Sequence, residues 1–311
     1  MTQIALVSHG LTDPALRDDD LPLLRNALTA AGLPTRVVLW TDPSVLWEDF
    51  GLVIIRSPWD YPEQAAAFLD WLDRVASVVP VVNAPALIRW NIDKTYLRDI
   101  RAVSDVPLVP TTFCLTLDEV ETARAQLGSA RIVIKPSVSA GSQNTGLFDI
   151  GDPAARTLAE HILALGKTVM VQPAIDGVQE RGEHALLYFN GRFSHAVSKG
   201  PLLAVGGGLL GGTYVETIEP VDPDLRERAV GDALIAAART VLLRRGLSES
   251  DSLPLYARID VVNDPVAGPL VLEAELFEPS LFLDSAQDAV GNFVSAVQER
   301  LLPTDDSGAH S

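Results

Sequence analysis

Three carboxylates lie on two strand-like segments near the end of the sequence, at a spacing that favours a metal site. Arg258 and Asp260 are two residues apart, as are Glu273 and Glu275, so within each strand both polar side chains share one face. If the strands pair as a hairpin, the three carboxylates converge beside Arg258. Packed carboxylates repel unless a cation neutralises them, and hard oxygen ligands suit Mg²⁺. A solvated acidic edge is the alternative, but the flanking residues are strongly apolar, which indicates a core hairpin.

A lysine at the end of another strand-like segment precedes a loop of small and polar residues. Lys135 lies in the run 131–136, and the loop covers 137–146. An ammonium group and the backbone N–H groups of such a loop can surround a phosphate, although ordinary surface loops have the same composition. The loop is not a Walker loop, because the required order of glycines and Lys-Ser/Thr is absent. Lys94 lies in a predicted helix, 91–101, where a solvated lysine is the alternative.

The elements that must position these residues begin with an open α/β unit in the first ninety residues. Short apolar runs predict strands, and apolar residues at helical spacing predict helices. The strands are predicted at 4–8, 35–40, 52–56 and 78–83, and the helices at 20–31 and 62–78. Further helices are predicted at 91–101, 117–127, 153–165, 225–246 and 293–302. Further strands are predicted at 109–116, 131–136, 168–172, 184–189, 192–198, 255–262 and 269–276, with a two-residue turn at Asn190-Gly191.

The charge balance of the chain excludes several classes of partner. The 311 residues carry 41 Asp and Glu against 24 Lys and Arg, a formal net charge of −17. Nucleic acids and anionic membranes both require a basic face, so neither is expected as a partner. A single cysteine, Cys114, excludes an intrachain disulfide and is typical of a reducing compartment. Because the first residues lack a basic leader, we expect a cytoplasmic location. The composition leaves open a monomer or a homo-oligomer.

Taken in order along the chain, these features resemble the ATP-grasp superfamily of ligases, and the resemblance spans nearly the whole sequence. It implies an α/β ATP-grasp fold with an N-terminal open α/β domain (1–90), a central ATP-binding subdomain (91–175), a C-terminal subdomain with the metal site (176–302) and a frayed tail (303–311). It also implies ATP and two Mg²⁺ ions as the bound groups. The implied metal ligands are Asp260, Glu273 and Glu275, and the implied nucleotide contacts are Lys94, Lys135, Ser139, Gly141, Ser142, Gln172, Pro173, Ala174, Ile175 and, for the ribose, Glu180 or Glu183.

Three strings, at 56–61, 193–201 and 278–283, resemble a subgroup of small bacterial ligases that includes the cycloserine-forming cyclo-ligase of antibiotic biosynthesis. Substrates of open α/β sheets bind in loops after strand ends, as at 57–61. The resemblance therefore implies a small amino-acid-like substrate near Arg56, Trp59, Asp60, Tyr61 and Ser280, with a structural Arg56–Asp60 pair as the alternative. Many relatives carry a basic residue within the stretch corresponding to 202–212, which here is apolar and glycine-rich. Lys199 and the backbone N–H groups of this loop are therefore the candidates for binding the γ-phosphate or the substrate.

The resemblance implies ATP-dependent formation of a carbon–nitrogen bond. A substrate carboxylate, which needs no base at pH 7, attacks the γ-phosphorus, and Arg258 stabilises the developing charge of the acyl phosphate. An amine nitrogen then displaces phosphate; in the cyclo-ligase version it belongs to the same molecule, an O-ureido-serine. Two alternatives stay open, an intermolecular carboxylate–amine ligase and a nucleotide-binding module without catalysis. His195 is interpreted as a strand residue near the nucleotide rather than as a general base.

Overall fold

The computed structural model describes residues 3–13, 16–210 and 216–302, apart from the side chains of residues 179–181. These residues form one parallel sheet and two antiparallel sheets, with helices packed against them. The predicted tail at 303–311 lies outside the described residues. Within the described ranges, no helix combines the length and the apolarity needed to cross a bilayer.

The N-terminal domain is built on the parallel sheet. Its strands are β1 (Ile4–Ser8), β2 (Thr35–Leu39), β3 (Leu52–Ser57) and β4 (Val81–Val82), and its helices are α1 (Asp20–Ala30), α2 (Ala65–Ala76) and α3 (Pro85–Asn91). The strand order is β2-β1-β3-β4. Strands β1 and β3 are unbroken apolar runs over most of their length because both of their faces are buried. Phe68 and Leu72 of α2 pack on one face of this sheet, and Leu24 and Leu28 of α1 pack on the other.

The central unit carries the first antiparallel sheet. Its helices are α4 (Tyr96–Val103), α5 (Leu117–Gln126) and α6 (Pro153–Ala164), and its strands are β5 (Thr112–Cys114), β6 (Arg131–Pro136), β7 (Gly146–Asp149) and β8 (Val169–Pro173). The strand order is β5-β8-β6-β7. Thr116 and Glu119 form a capping box that begins α5. Helices α5 and α6 cover one face of the sheet through Val120 and Ile162.

The C-terminal unit carries the second antiparallel sheet. Its elements are α7 (Asp176–Arg181), β9 (Glu183–Phe189), β10 (Arg192–Lys199), β11 (Ile218–Pro220), α8 (Leu225–Arg244), β12 (Tyr256–Asp264), β13 (Gly268–Glu275) and α9 (Ala289–Leu301). The strand order is β11-β10-β9-β12-β13. Asn190 and Gly191 turn between β9 and β10 with φ of 46° and 71°, so the predicted hairpin turn is confirmed. Helix α8 packs on one face of this sheet, and α9 with the N-terminal domain packs on the other.

Two predicted elements are interrupted or shortened for reasons that lie outside their own sequence. The predicted helix 91–101 breaks at Asp93, whose side chain accepts the Thr95 N–H at 2.9 Å, so Lys94 lies in a turn between α3 and α4. The predicted strand 109–116 shrinks to β5. Its first residue, Val109, donates instead to the Val271 carbonyl of β13 at 2.9 Å. This contact ties the central unit to the outer edge of the C-terminal sheet.

Four short elements have no counterpart among the predicted ones. They are α3, β7, α7 and β11, of seven, four, six and three residues. Segments of this length contain too few residues for a periodic apolar pattern. The two strands among them form because neighbouring strands offer an edge: β7 pairs with β6, and β11 pairs with β10.

Candidate active site

The hairpin of β12 and β13 brings the predicted carboxylates together. Its register pairs Arg258 with Glu275 and Asp260 with Glu273, so the alternating polar residues share one face. One oxygen from each of Asp260, Glu273 and Glu275 lies within 4.8 Å of the others. Arg258 donates to Asp260 through Nε and Nη2, at 2.8 and 2.9 Å, and to Glu275 through Nη2 at 2.5 Å. The convergence expected from residue spacing is present in the structure.

Lysines from three other segments surround the same carboxylates. Lys199, at the end of β10, donates to Asp260 Oδ2 at 3.1 Å. Lys135 Nζ and Lys94 Nζ lie 3.4 and 3.9 Å from Glu273 Oε2. The lysines of β6 and of the α3–α4 turn thus contact Glu273 more loosely than Lys199 contacts Asp260. The negative charge of the three carboxylates is therefore balanced by basic side chains from four separate segments of the chain.

The pKa values of the cluster depend on this balance. Burial raises the pKa of Glu275 to about 6, because the charge of Arg258 offsets only part of the desolvation. Burial acts in the same direction on Glu273, but Lys135 and Lys94 outweigh it and hold the pKa of Glu273 below its ordinary value. The buried carboxylate of Asp260 and the half-buried carboxylates of Glu273 and Glu275 provide three hard oxygen donors, a donor set that fits Mg²⁺.

The carboxylate hairpin ends at an edge strand whose outer backbone groups are satisfied by side chains from α3 and α4. The Tyr96 hydroxyl accepts the Ala274 N–H at 2.6 Å and donates to the Ala274 carbonyl at 3.0 Å. Asn91 Nδ2 also donates to the Ala274 carbonyl, at 2.9 Å, and Asn91 Oδ1 accepts the Leu276 N–H at 2.8 Å. Ala274 lies between Glu273 and Glu275, so these contacts fix the backbone that carries both carboxylates.

The predicted phosphate loop follows Lys135 and is held in place from two sides. Lys94 Nζ donates to the Ser139 carbonyl at 3.0 Å. Lys167 Nζ donates to the carbonyls of Val138, at 3.1 Å, and Pro62, at 3.2 Å. Lys167 therefore joins the start of the loop to the N-terminal domain. The chain has four lysines, and the three others line the cavity described in the next paragraph.

A cavity of about 690 Å³ runs between the two antiparallel sheets and collects most of the predicted nucleotide residues. Val133 and Leu272 lie on opposite sheets and both line it, as do Glu273 and Glu275 of the charged cluster. The segment 172–175 is fixed by the Ala174 N–H, which donates to the Arg131 carbonyl at 3.0 Å. The predicted residues on the wall are Lys94, Lys135, Ser139, Gly141, Ser142, Gln172, Pro173, Ala174, Ile175 and Glu183.

Glu183 is the predicted ribose residue that the structure can place. It pairs with Lys199 across the β9–β10 ladder, and burial raises its pKa. The preceding Gly182 has φ of 69°, and a Cβ there would lie 2.1 Å from the Lys199 carbonyl oxygen, so this close approach requires glycine. The side chain of Glu180, the other predicted ribose residue, lies outside the described residues.

The predicted substrate residues divide into two groups. Trp59 and Ser280 line the cavity. Arg56 is fully buried and donates to the Pro279 carbonyl at 2.8 Å, with its Nη2 3.8 Å from Asp18. The alternative that Arg56 pairs with Asp60 is wrong, because the Asp60 carboxylate accepts the Trp40 Nε1–H at 2.6 Å.

Tyr61 is buried as well, beside the aromatic ring of Phe277. Arg56, Asp60 and Tyr61 are not on the cavity wall formed by the described residues. Arg56 and Tyr61 instead support the segment 278–283, which contributes Glu278, Ser280 and Phe282 to the wall. Trp59 Nε1 contributes to the same support by donating to the Glu278 carbonyl at 2.9 Å.

Asp20 is a supporting residue that the sequence reasoning missed. Its carboxylate accepts the N–H groups of Leu281 and Leu283, at 2.7 and 2.9 Å. His195 Nε2 donates to the Leu281 carbonyl at 2.8 Å, and His195 is a strand residue, as interpreted from the sequence. Phe282, between the two held residues, has φ of 49°. No local pattern identifies Asp20, because its partners lie more than 250 residues away in sequence.

Glu278 is a second wall residue to which the sequence reasoning gave no role. Its side chain is buried, hydrogen-bonds with the Tyr61 hydroxyl, and has no partner for Oε2 among the described residues. Burial, followed by the charge of Glu275, raises the pKa of Glu278 well above its ordinary value. The signal in the sequence is an acidic residue three positions after Glu275, but the sequence does not show that it is buried.

Solved structures share this architecture. A D-alanine–D-alanine ligase from Bacillus anthracis in complex with ATP matches 96% of this chain and 97% of its own, with a TM-score of 0.63 and 16% identity. A RimK-domain ATP-grasp protein from Sphaerobacter thermophilus matches 97% of this chain and 100% of its own, with a TM-score of 0.63 and 17% identity. These matches show that the chain has the ATP-grasp fold.

A family model, the N-terminal domain of the D-cycloserine synthetase DcsG, matches residues 4–83. The cycloserine biosynthesis protein DcsG of Streptomyces lavendulae is 35% identical over 96% of this chain and 99% of its own length. The crystal structure of D-cycloserine synthetase DcsG matches 96% of this chain and 100% of its own, with a TM-score of 0.86 and 34% identity. The chain belongs to the DcsG family and is an ATP-grasp carbon–nitrogen ligase.

Proposed function

We propose that this protein is a cyclo-ligase of antibiotic biosynthesis that closes O-ureido-D-serine, or a near analogue, into a cyclic amide at the expense of ATP. The observation that carries the proposal is one cavity that joins a carboxylate cluster, three lysines and Arg258 in a chain 35% identical to DcsG over 96% of its length. The substrate is a small molecule, held against Trp59 and Ser280.

ATP is a substrate of this reaction, and Lys94, Lys135 and the loop 137–146 bind its phosphates. The two lysines can turn to phosphate oxygens at little cost, because their contacts with Glu273 are as long as 3.9 and 3.4 Å. Asp260, Glu273 and Glu275 would hold Mg²⁺, which supplies charge stabilisation to the transferred phosphoryl group. Gln172 to Ile175 and Glu183 orient the nucleoside.

Activation of the substrate carboxylate forms an acyl phosphate. The carboxylate is ionised at pH 7 and attacks the γ-phosphorus without help from a base, so positioning and charge stabilisation carry the step. Arg258 and Lys199, both buried and both fixed by Asp260, stabilise the charge on the transferred group. The loop 137–146 excludes water, which otherwise hydrolyses the acyl phosphate.

The second step forms the carbon–nitrogen bond. In the cyclo-ligase reaction the nitrogen belongs to the activated molecule itself, so a single small substrate fills the space between Trp59 and the cluster. An intermolecular ligase would share every nucleotide contact and differ by requiring a second, amine-bearing substrate. The identity to a synthetase of a cyclic product favours the intramolecular reaction.

The test is ADP release with a single substrate. Purified protein is mixed with ATP, Mg²⁺ and O-ureido-D-serine alone, and both ADP and the cyclic product are measured. We expect both to form without any added amine, and neither to form with the Glu273→Gln variant. Dependence of ADP release on an added amine would show an intermolecular ligase instead. Absence of ADP release with every amino-acid-like carboxylate would contradict the proposal as a whole.

A further inference from the structure

Formation of the carbon–nitrogen bond requires a proton acceptor that the residues discussed so far do not supply. An alkyl amine arrives as an ammonium ion at pH 7, and a urea-type nitrogen attacks well only after it loses its N–H proton. The nitrogen must therefore give up a proton in the intramolecular and in the intermolecular version of the reaction. A positioned side chain that takes this proton contributes about 10²–10⁴ in rate.

The carboxylates of the metal cluster are committed to cations. Asp260 accepts hydrogen bonds from Arg258 and Lys199, and Glu275 accepts one from Arg258. Glu273 faces Lys94 and Lys135. A carboxylate whose charge is already used in this way is a weak base, since protonation would leave a buried cation without its counterion.

Three other candidates on or near the cavity are committed in other ways. Glu183 pairs with Lys199. Asp20 accepts two backbone N–H groups of the 278–283 segment. His195 is bound to the Leu281 carbonyl through Nε2 and to Ser194 through Nδ1, so both ring nitrogens have partners.

Glu278 differs from all of these. It follows β13 by three residues, lines the cavity, and is 6% exposed. The described residues include no Lys or Arg that forms an ion pair with it, and its Oε2 has no hydrogen-bond partner among them. Its main chain is held by Trp59, and its carboxyl group is held on one side by the Tyr61 hydroxyl. A buried carboxyl group with one oxygen free and its position fixed is suited to receive a proton.

We propose that Glu278 is the catalytic base that takes the proton of the attacking nitrogen. As the nitrogen–carbon bond forms, the bond between the acyl carbon and the phosphate oxygen breaks, and inorganic phosphate leaves with that electron pair. The N–H proton passes to the Glu278 carboxylate. The role rests on the proposed acyl phosphate reaction. This role of Glu278 also explains why Tyr61 is buried: its hydroxyl group positions the base and does not contact the substrate.

The test separates activation from bond formation. Glu278→Gln keeps the volume and the contact with Tyr61 but removes the base, and hydroxylamine, a nucleophile that is neutral at pH 7, intercepts the acyl phosphate as a hydroxamate. For Glu278→Gln we expect cyclic product to fall by about 10²–10⁴. Hydroxamate formation and the affinity for Mg²⁺·ADP should stay within about threefold of the wild type, a difference of less than about 0.7 kcal/mol.

Asp18→Asn is the matched control, because Asp18 is a buried carboxylate on the same wall whose Oδ2 also lacks a hydrogen-bond partner among the described residues. It is paired with Arg56 at 3.8 Å and should keep most of its cyclisation activity relative to hydroxamate formation. If Asp18→Asn loses cyclisation selectively and Glu278→Gln does not, the proposal is overturned. Glu278→Asp, which keeps an acid one methylene shorter, gives a second variant if the glutamine variant does not fold, and should retain more cyclisation than any neutral replacement.

Failure of this inference differs from failure of the proposed function. If wild-type protein yields hydroxamate and Glu278→Gln cyclises at the wild-type rate, Glu278 is not the base, while the acyl phosphate reaction stands. Equal loss of hydroxamate and of cyclic product in Glu278→Gln would make Glu278 part of activation or binding and would also overturn the inference. If wild-type protein yields neither ADP nor hydroxamate, both proposals are wrong.

Discussion

The hydroxyl group of Tyr96 provides a direct test of how the carboxylate hairpin is held. Tyr96→Phe removes one oxygen atom from a side chain that is 2% exposed. The Ala274 carbonyl keeps Asn91 as a partner, but the buried Ala274 N–H loses the acceptor that lies 2.6 Å away. A buried donor left without a partner costs about 1–3 kcal/mol, so we expect the free energy of unfolding to fall by about 2 kcal/mol.

The assay is urea denaturation, combined with calorimetric measurement of the affinity for Mg²⁺·ADP. We expect this affinity to fall as well, because Ala274 lies between Glu273 and Glu275. Ser77→Ala is the control: it removes an exposed hydroxyl that donates to the Arg74 carbonyl, and should change stability by no more than about 0.5 kcal/mol. If Tyr96→Phe is as stable as this control and binds nucleotide like the wild type, the account of the edge strand is wrong.

Three further experiments test other parts of the site and of the fold. Glu273→Gln should abolish ADP release and leave the free energy of unfolding close to that of the wild type. Asp260→Asn removes a carboxylate that contacts two buried cations, so it should abolish ADP release and also lower the free energy of unfolding by about 3–5 kcal/mol. Equal losses of stability in urea denaturation would contradict this difference. Lys167→Met should weaken Mg²⁺·ADP binding about tenfold, or about 1.4 kcal/mol, in calorimetry, with partial recovery in Lys167→Arg, and unchanged affinity would refute its role in holding the phosphate loop. Burial raises the pKa of Glu227, but hydrogen bonds, above all from His184, outweigh it and lower the pKa in the folded state. Ionised Glu227 therefore contributes to the free energy of unfolding above its pKa in the unfolded chain, 4.5, and this contribution is lost as the pH falls through the lower pKa of the folded state. The free energy of unfolding of Glu227→Gln, measured by urea denaturation at acid pH, should depend less on pH than that of the wild type.

Much of the fold could be predicted because its signals are local. Alternation placed Asp260, Glu273 and Glu275 on one face, and the turn at Asn190-Gly191 fixed the β9–β10 hairpin. Short elements such as β7 escaped, since four residues cannot show a period. The break at Asp93 escaped for another reason: helical propensity continues through the segment, and a single side-chain hydrogen bond decides the turn.

The sequence by itself determined that Asp260, Glu273 and Glu275 share one face and that a small-residue loop follows Lys135, because strand alternation and loop composition are local properties. Only the tertiary structure decided which charged side chains lie in the cavity and which partners each of them has. Arg56 has the same charge as Arg258, but packing buries it under the wall, while Arg258 remains in the cluster. Glu278 has the same carboxyl group as Glu275, but among the described residues no Lys or Arg hydrogen-bonds to its Oε2, because the packing of three sheets decides which partners arrive from distant segments. Charge, basicity and access depend on those long-range neighbours, and local sequence does not encode them.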